Sequence, residues 1–240
     1  MVERKWVEGD QVYVLHSYPY SESSLLLEVY SRAHGRLPLL AKGARRPRSN
    51  LRGLLMAFQP LLVGWSGRGE VRTLNGCEWM GGQPLLSGDA LLCGFYLNEL
   101  LLRLMAREDP HEALYDRYAE ALAGLADDSQ RTQVLRKFEK ALLKELGYAM
   151  TLDREAESGS RLDPQGAYTY EPERGPVRAA TANMNVPVFT GSTLLAIADE
   201  NYGDPTVLPQ YKQLMRMLIN HRLDRQPLHT RNVFKELQQL

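Results

Sequence analysis

The sequence predicts an α+β protein: an N-terminal five-stranded β-barrel followed by an all-α helical region with a small β/loop excursion. Three observations carry this expectation. Short strand-like runs fill the first 80 residues. Near Gly81 the hydrophobic pattern changes from a period of two to that of a helix. A stretch rich in Pro, Gly, Asp and Glu then interrupts the helices from Thr151 to Val188. The expected division is 1–82 for the barrel and 83–240 for the helical region, with the excursion at about 151–189.

The strands follow in order. "QVYVLHSY" alternates, with Val12 and Val14 on one face and Tyr13 and Leu15 on the other. "SSLLLEVYS" and "GRLPLLAKG" come next, bounded by Ser, Pro and Gly. "AFQPLLVGWSG" and "GEVRTLNGCEWMG" read as two further strands joined in a hairpin at "SGRG". Five short strands without a strong helix between them point to a small closed barrel. An OB-fold fits that count best, although a count alone does not identify a topology.

The helices have their own punctuation. "SGDALLCGFYLNELLLRLMARED" offers Ser87 as a cap and a thin polar stripe of Tyr96, Glu99, Arg103 and Arg107, the mark of a helix central to a bundle. "PHEALYDRYAEALAGLADD" opens with Pro110 at a first-turn position. "SQRTQVLRKFEKALLKELGY" has Ser129 as cap and Gly147 as a left-handed stop. Its apolar stripe is Val134, Leu135, Phe138, Ala141, Leu142 and Leu146, and its opposite face carries Arg136, Lys137, Lys140 and Lys144. The excursion includes a hairpin at "GAYTYEPERGPVRAA", and three shorter helices close the chain.

Composition excludes several classes. The start has no apolar h-region of a secretory signal, and no run approaches ~18 consecutive apolar residues, so nothing is expected to span a bilayer. Cys77 and Cys93 lack metal-like spacing and read as buried thiols of a cytoplasmic protein. The five histidines form no zinc-protease motif, and "GWSGRGEV" lacks the Lys-Ser/Thr ending of a phosphate loop. No nucleophile elbow, paired-carboxylate motif or Walker lysine appears, so no enzyme, cofactor or catalytic residue is expected.

The informative feature is charge segregation. The chain is balanced, 29 Lys and Arg against 29 Asp and Glu, yet no acid occurs from Val29 to Gly69. From Arg32 through Arg52 stand seven basic residues, Arg32, Arg36, Lys42, Arg45, Arg46, Arg48 and Arg52. A charge run is ordinarily a solvated loop. This one lies between barrel strands, lacks interleaved acids and is rich in arginine, whose planar fork matches phosphate. Gly43, Pro47 and Gly53 allow a loop that exposes the guanidiniums. Nucleic acid is the expected partner. Tyr13, Tyr18, Tyr20, Tyr30, Trp65 and Trp79 read first as core or strand filler, but a minority on the outer barrel face would suffice for stacking unpaired bases.

With these residues in view, the chain resembles the RecO family of bacterial recombination mediators of the RecF pathway. The carrying stretches are "VLHSYPYSESSLLLEVYSRAHGRLPLLAKGARRPRS", "GFYLNELLLRL", "LRKFEKALLKELGY", "FTG" and "LHTRNVF", in the family's order and almost end to end. The resemblance implies an OB-fold and a helical C-terminal domain, binding of single- and double-stranded DNA, and annealing of complementary strands. It implies partnership with RecR and with the acidic C-terminal tail of single-stranded DNA-binding protein, so that RecA loads onto coated strands; the protein would then associate with the nucleoid when bound to DNA. Carried onto this chain, the DNA surface would include Arg36, Lys42, Arg45, Arg46 and Arg48, with Arg52 and Arg72 as further members. "LRKFE" points to Arg136 as partner of the tail carboxylate, with Arg103, Lys212 and Arg216 as further candidates. Many relatives carry a four-cysteine zinc site in the region matching Thr151 to Val188; this sequence has no cysteine there, so no metal is expected. The alternative from another class is an OB-fold RNA-binding or translation-associated protein.

Overall fold

The computed structural model describes residues 6–179, 186–224 and 226–237. The chain forms two compact units, one of residues 1–131 with 228–240, the other of residues 132–227.

In the first unit, β1 (Trp6–Pro19), β2 (Leu25–Ser31), β3 (Gly35–Ala41), β4 (Pro60–Ser66) and β5 (Arg72–Trp79) close a barrel in the order β1-β2-β3-β5-β4. All neighbours are antiparallel except β3 and β5, which run parallel, and this is the OB-like arrangement. Val12, Val14, Leu27, Val29, Leu37, Leu39, Leu61, Val63 and Trp65 fill the interior. A short helix, α1 (Leu51–Leu54), lies between β3 and β4, where the sequence suggests only a loop.

The expected alternation in β1 holds, but its second face is not solvated. Tyr13 packs against Tyr115 and Tyr118 at ring distances of 5.4 and 5.1 Å, and the Leu15 carbonyl accepts a hydrogen bond from Asn98 Nδ2 at 2.8 Å. Those partners lie on α2 (Gly88–Leu104) and α3 (Glu112–Gly124), which cover the barrel's outer face. Gly35 (φ +70°) allows the β2–β3 turn to meet the loop between these helices: a Cβ there would stand 2.3 Å from the Asp109 carbonyl oxygen. Two helix starts differ from expectation. Pro110 precedes the α3 N-cap, His111, and Ser129 donates its hydroxyl to Asp127 within a turn instead of capping the next helix. The C-terminal helix α7 (His229–Leu237) belongs to this unit and is capped by α2: Glu99 accepts bonds from the His229 and Thr230 amides at 2.8 and 2.9 Å and from the Thr230 hydroxyl.

The second unit contains most of α4 (Arg131–Glu145), the sheet of β6 (Ala167–Glu171), β7 (Gly175–Arg178) and β8 (Phe189–Thr190), and helices α5 (Gly191–Ala198) and α6 (Val207–Arg222). Gly147 is left-handed at φ +83° as its stop position requires, with the Tyr148 amide donating back to the Leu143 carbonyl. The hairpin expected in the excursion is β6–β7, although residues 180–185 lie outside the described residues. The segment is not peripheral: Leu152, Leu162, Tyr168, Tyr170 and Phe189 share one core with Leu143, Leu194, Tyr211 and Leu214. Each residue of the "FTG" stretch has its task there. Phe189 is buried, the Thr190 hydroxyl accepts from the Thr193 amide, and a Cβ on Gly191 would strike the Asp163 carbonyl at 2.0 Å. Among the described residues no helix is long and apolar enough to cross a membrane.

Candidate nucleic-acid interface

The segment after β3 is anchored by its apolar residues and displays its basic ones. Ala44 is inside the barrel core, and Leu51 and Leu55 pack against it. The positive φ of Gly43 starts a series of turns closed by Arg46 N–H to Gly43 C=O, Ser49 N–H to Arg46 C=O and Arg52 N–H to Ser49 C=O. With the apolar residues turned inward, Lys42, Arg45, Arg46, Arg48 and Arg52 are all exposed. Among the described residues none of the five has a carboxylate within ion-pair distance. Arg45 also ties the segment to the β1–β2 turn: its amide donates to the Ser23 carbonyl at 2.9 Å and Nη1 to the Ser21 carbonyl at 2.6 Å.

Arg36 and Arg72 are differently placed. Arg36 stands at the other end of β3 from Lys42, donating to Glu28 at 3.1 Å and to the Met105 carbonyl. Glu28 is buried and also accepts from Arg107, so two guanidiniums compensate one carboxylate taken out of water. Arg72 is buried, lies 4.8 Å over the Trp65 ring and pairs with Glu108 at 2.8 Å. Both hold the barrel to the loop after α2. Arg32 likewise pairs with Glu112 and Asp116 of α3.

The residues suggested for an acidic tail also divide. Arg103 pairs with Glu99 on α2 in the first unit, at 3.3 Å. In the second unit Lys212 and Arg216 are exposed on α6. Arg136 does not lie on the open basic face of α4 that a helical wheel assigns to it. It is buried, Nη1 2.8 Å from the fully buried Glu139, and its own carbonyl accepts from the Tyr211 hydroxyl at 3.3 Å. Arg136 Nε is buried without a hydrogen-bond partner. Lys137 and Lys140 approach Glu200 at 3.8 and 3.5 Å, and Lys144 is exposed.

One cluster of reactive residue types escaped the sequence reading. Asp10, buried in β1, accepts from the Ser31 hydroxyl at 2.8 Å and from Trp65 Nε1 at 3.3 Å, and lies 3.1 Å from His34 Nδ1. A nucleophile triad places serine and carboxylate on opposite ring nitrogens. Here both face Nδ1 and the serine bonds the carboxylate directly, so the cluster is a polar clip between β1 and the β2–β3 turn. Its only sequence signal is a carboxylate within a strand, which does not reveal its partners. Among the described residues no group of His, Cys, Asp and Glu is arranged to hold a metal ion. Cys93 is buried, and burial pushes the half-buried Cys77 thiol up to about 11, leaving it protonated at neutral pH.

Comparison with known proteins matches residues 7–83 to the family model described as Recombination protein O N terminal and residues 85–232 to Recombination protein O C terminal. The chain is 52% identical over 240 residues to the DNA repair protein RecO of Aromatoleum aromaticum, with all of both chains covered. It is 52% identical over 240 residues to that of Dechloromonas aromatica, covering 99% of each chain. With that of Nitrosospira multiformis it shares 50% over 242 residues, covering 100% of this chain and 99% of the relative.

Proposed function

Because the chain belongs to the RecO family of DNA repair proteins, we propose that it binds DNA through the basic segment beside its barrel, anneals complementary single strands and, with RecR, helps RecA load onto strands coated by single-stranded DNA-binding protein. The observation that carries the DNA-binding part is the row of exposed cations at Lys42, Arg45, Arg46, Arg48 and Arg52, anchored by buried Ala44 and unpaired with carboxylates among the described residues. Fixed cations of this kind release counterions from a nucleic-acid backbone and bind without reading base edges. Arg36, at the other end of β3, and the buried Arg72 are lesser candidates for contact with DNA, since their guanidiniums already serve Glu28 and Glu108.

Replacing Arg45, Arg46 and Arg48 with Ala removes up to three phosphate contacts and lowers the slope of log affinity against log salt by roughly 0.7 per contact on single strands. Titration at several salt concentrations measures it; an unchanged slope in a folded variant assigns the DNA surface elsewhere. Annealing of complementary oligonucleotides precoated with single-stranded DNA-binding protein tests the mediator step, and competition by RNA of equal length tests the choice of nucleic acid. For the acidic tail, the surface of α4 and α6 is the proposed site, with Arg136 at its base and Lys212 and Arg216 on its rim; Arg103 is a separate candidate on α2. A carboxylate-ended peptide beside arginine suits charge-assisted pairing.

A further inference from the structure

The turn that Arg45 grips is aromatic as well as polar. Beyond Tyr13, whose partner on β4 is Pro60, the strand pairing of β1 among the described residues is with β2, apart from an isolated bridge from Val14 to Ala57. Its last residues and the turn therefore project past the barrel's closed section, carrying "SYPYSES". The tertiary structure sorts the six aromatic residues singled out in the barrel. Tyr13, Tyr30 and Trp65 are buried, whereas Tyr18, Tyr20 and Trp79 are exposed, Tyr20 the most at 62%. Tyr18 leans on the neighbouring His16 ring at 4.4 Å. Among the described residues the Tyr20 ring has no aromatic or cationic partner and its hydroxyl no hydrogen bond, so the fold makes no evident use of it.

Position supplies the use. The Tyr20 amide donates to Ser24, closing the turn, while Arg45 donates to the carbonyls of Ser21 and Ser23 in the same turn. The turn that carries the rings is thereby tied through Arg45 to the segment that displays the five exposed cations, with Glu22 the only carboxylate in the turn. Parallel β3 and β5 send Ala41 and Trp79 toward the same end of the barrel, so the third exposed ring shares it.

We infer that Tyr20, with Tyr18 beside it, is a base-stacking platform through which this end of the barrel takes unpaired strand in preference to duplex. The inference rests on the proposed DNA surface and deepens it. In a duplex the base faces are covered by their neighbours, whereas an unpaired base can lie on a tyrosine ring while its phosphates meet the basic segment.

Abasic strand separates the two contributions, because it keeps the phosphates and lacks the bases. The full-length protein and its Tyr20→Leu and Tyr20→Phe variants are titrated with three fluorescent ligands: a mixed-sequence single strand, an abasic strand of equal length, and a duplex. Tyr20→Leu is expected to weaken binding to the base-containing strand by roughly tenfold, within the range for loss of one stacking contact. The same variant should leave abasic and duplex affinities and the salt slope unchanged, and Tyr20→Phe, which keeps the ring, should bind as the parent does. Equal loss on all three ligands would make Tyr20 structural and overturn the inference, and so would loss in Tyr20→Phe as large as in Tyr20→Leu. Unchanged binding of every ligand by Tyr20→Leu would assign the ring to some other partner and also overturn it. The salt slope of the Arg45, Arg46 and Arg48 variant tests the phosphate surface separately, since an unchanged slope there can coexist with loss of base-dependent binding in Tyr20→Leu.

Discussion

Arg136 has the charge of a surface residue and the position of a core one. Taking a guanidinium out of water is tolerable because Glu139, itself fully buried, stands three residues along the helix at 2.8 Å. Arg136→Ala therefore removes the cation nearest to a buried carboxylate, and its first effect should be on stability. A loss of ~3–5 kcal/mol is expected by denaturant titration, the usual cost of breaking a buried pair from one side. Arg136→Lys keeps the charge but not the fork, and should retain more of that stability while weakening a carboxylate-ended tail peptide, read by fluorescence anisotropy. If Arg136→Ala unfolds at the parent's midpoint, the pair contributes little to holding α4 in place.

At the scale of the element, α7 is attached to α2 by one carboxylate. Its first amides are orphans that no residue within the helix can satisfy, and Glu99 accepts two of them together with the Thr230 hydroxyl. Burial alone would push the Glu99 carboxyl up; the bonds from Thr230 and His229 and the charge of Arg103 outweigh it and hold the group below its ordinary 4.5. A carboxyl depressed in the folded state contributes stability that is present above its unfolded value and lost as the pH falls through the folded one. Docking of α7 should accordingly be intact above about pH 4.5 and loosen at lower pH. Glu99→Gln should cost roughly 1–3 kcal/mol at pH 7 and progressively less as the carboxylate of the parent protein becomes protonated at acid pH. Amide exchange of residues 229–237 across that range measures both arms; an equal cost at every pH would mean that the charge of Glu99 is irrelevant to the cap.

For the whole molecule, zero formal net charge coexists with a concentrated basic surface because the acids are spent elsewhere. Glu28, Glu108, Glu112 and Asp116 pair with Arg36, Arg107, Arg72 and Arg32, which leaves the segment from Lys42 to Arg52 unneutralised. Binding is then local and salt-dependent instead of a property of the total charge. Contacts to phosphate, and stacking on tyrosine, contain no hydrogen-bond code for the bases. Mixed strands of equal length and different order should bind alike. A preference above about a hundredfold, on the order of 3 kcal/mol, would require base-edge readout by residues outside this surface.

What the sequence determined by itself was whatever rests on neighbours along the chain. Alternation placed β1, turn-forming residues bounded the runs that became β2 to β5, a missing stretch of acids marked Lys42 to Arg52, and Gly147 announced the end of α4, because period, turn chemistry, local charge and left-handed backbone are all properties of a few consecutive residues. Pro110 and Ser129 show the limit even there, since the chain turned one or two residues later than their propensities suggest. What only the tertiary structure decided was which side chains are already engaged. Arg36 and Arg45 look alike in sequence, yet one meets Glu28 and the other faces solvent. Tyr13 and Tyr20 differ in the same way, one under Tyr118 and the other open at the barrel's end. The physical reason is common to these cases. Burial and ion pairing depend on groups that are not neighbours along the chain: Glu28 meets Arg36 across the β2–β3 pair, and Tyr118 and Glu108 meet Tyr13 and Arg72 only once α3 and the loop after α2 pack on the barrel.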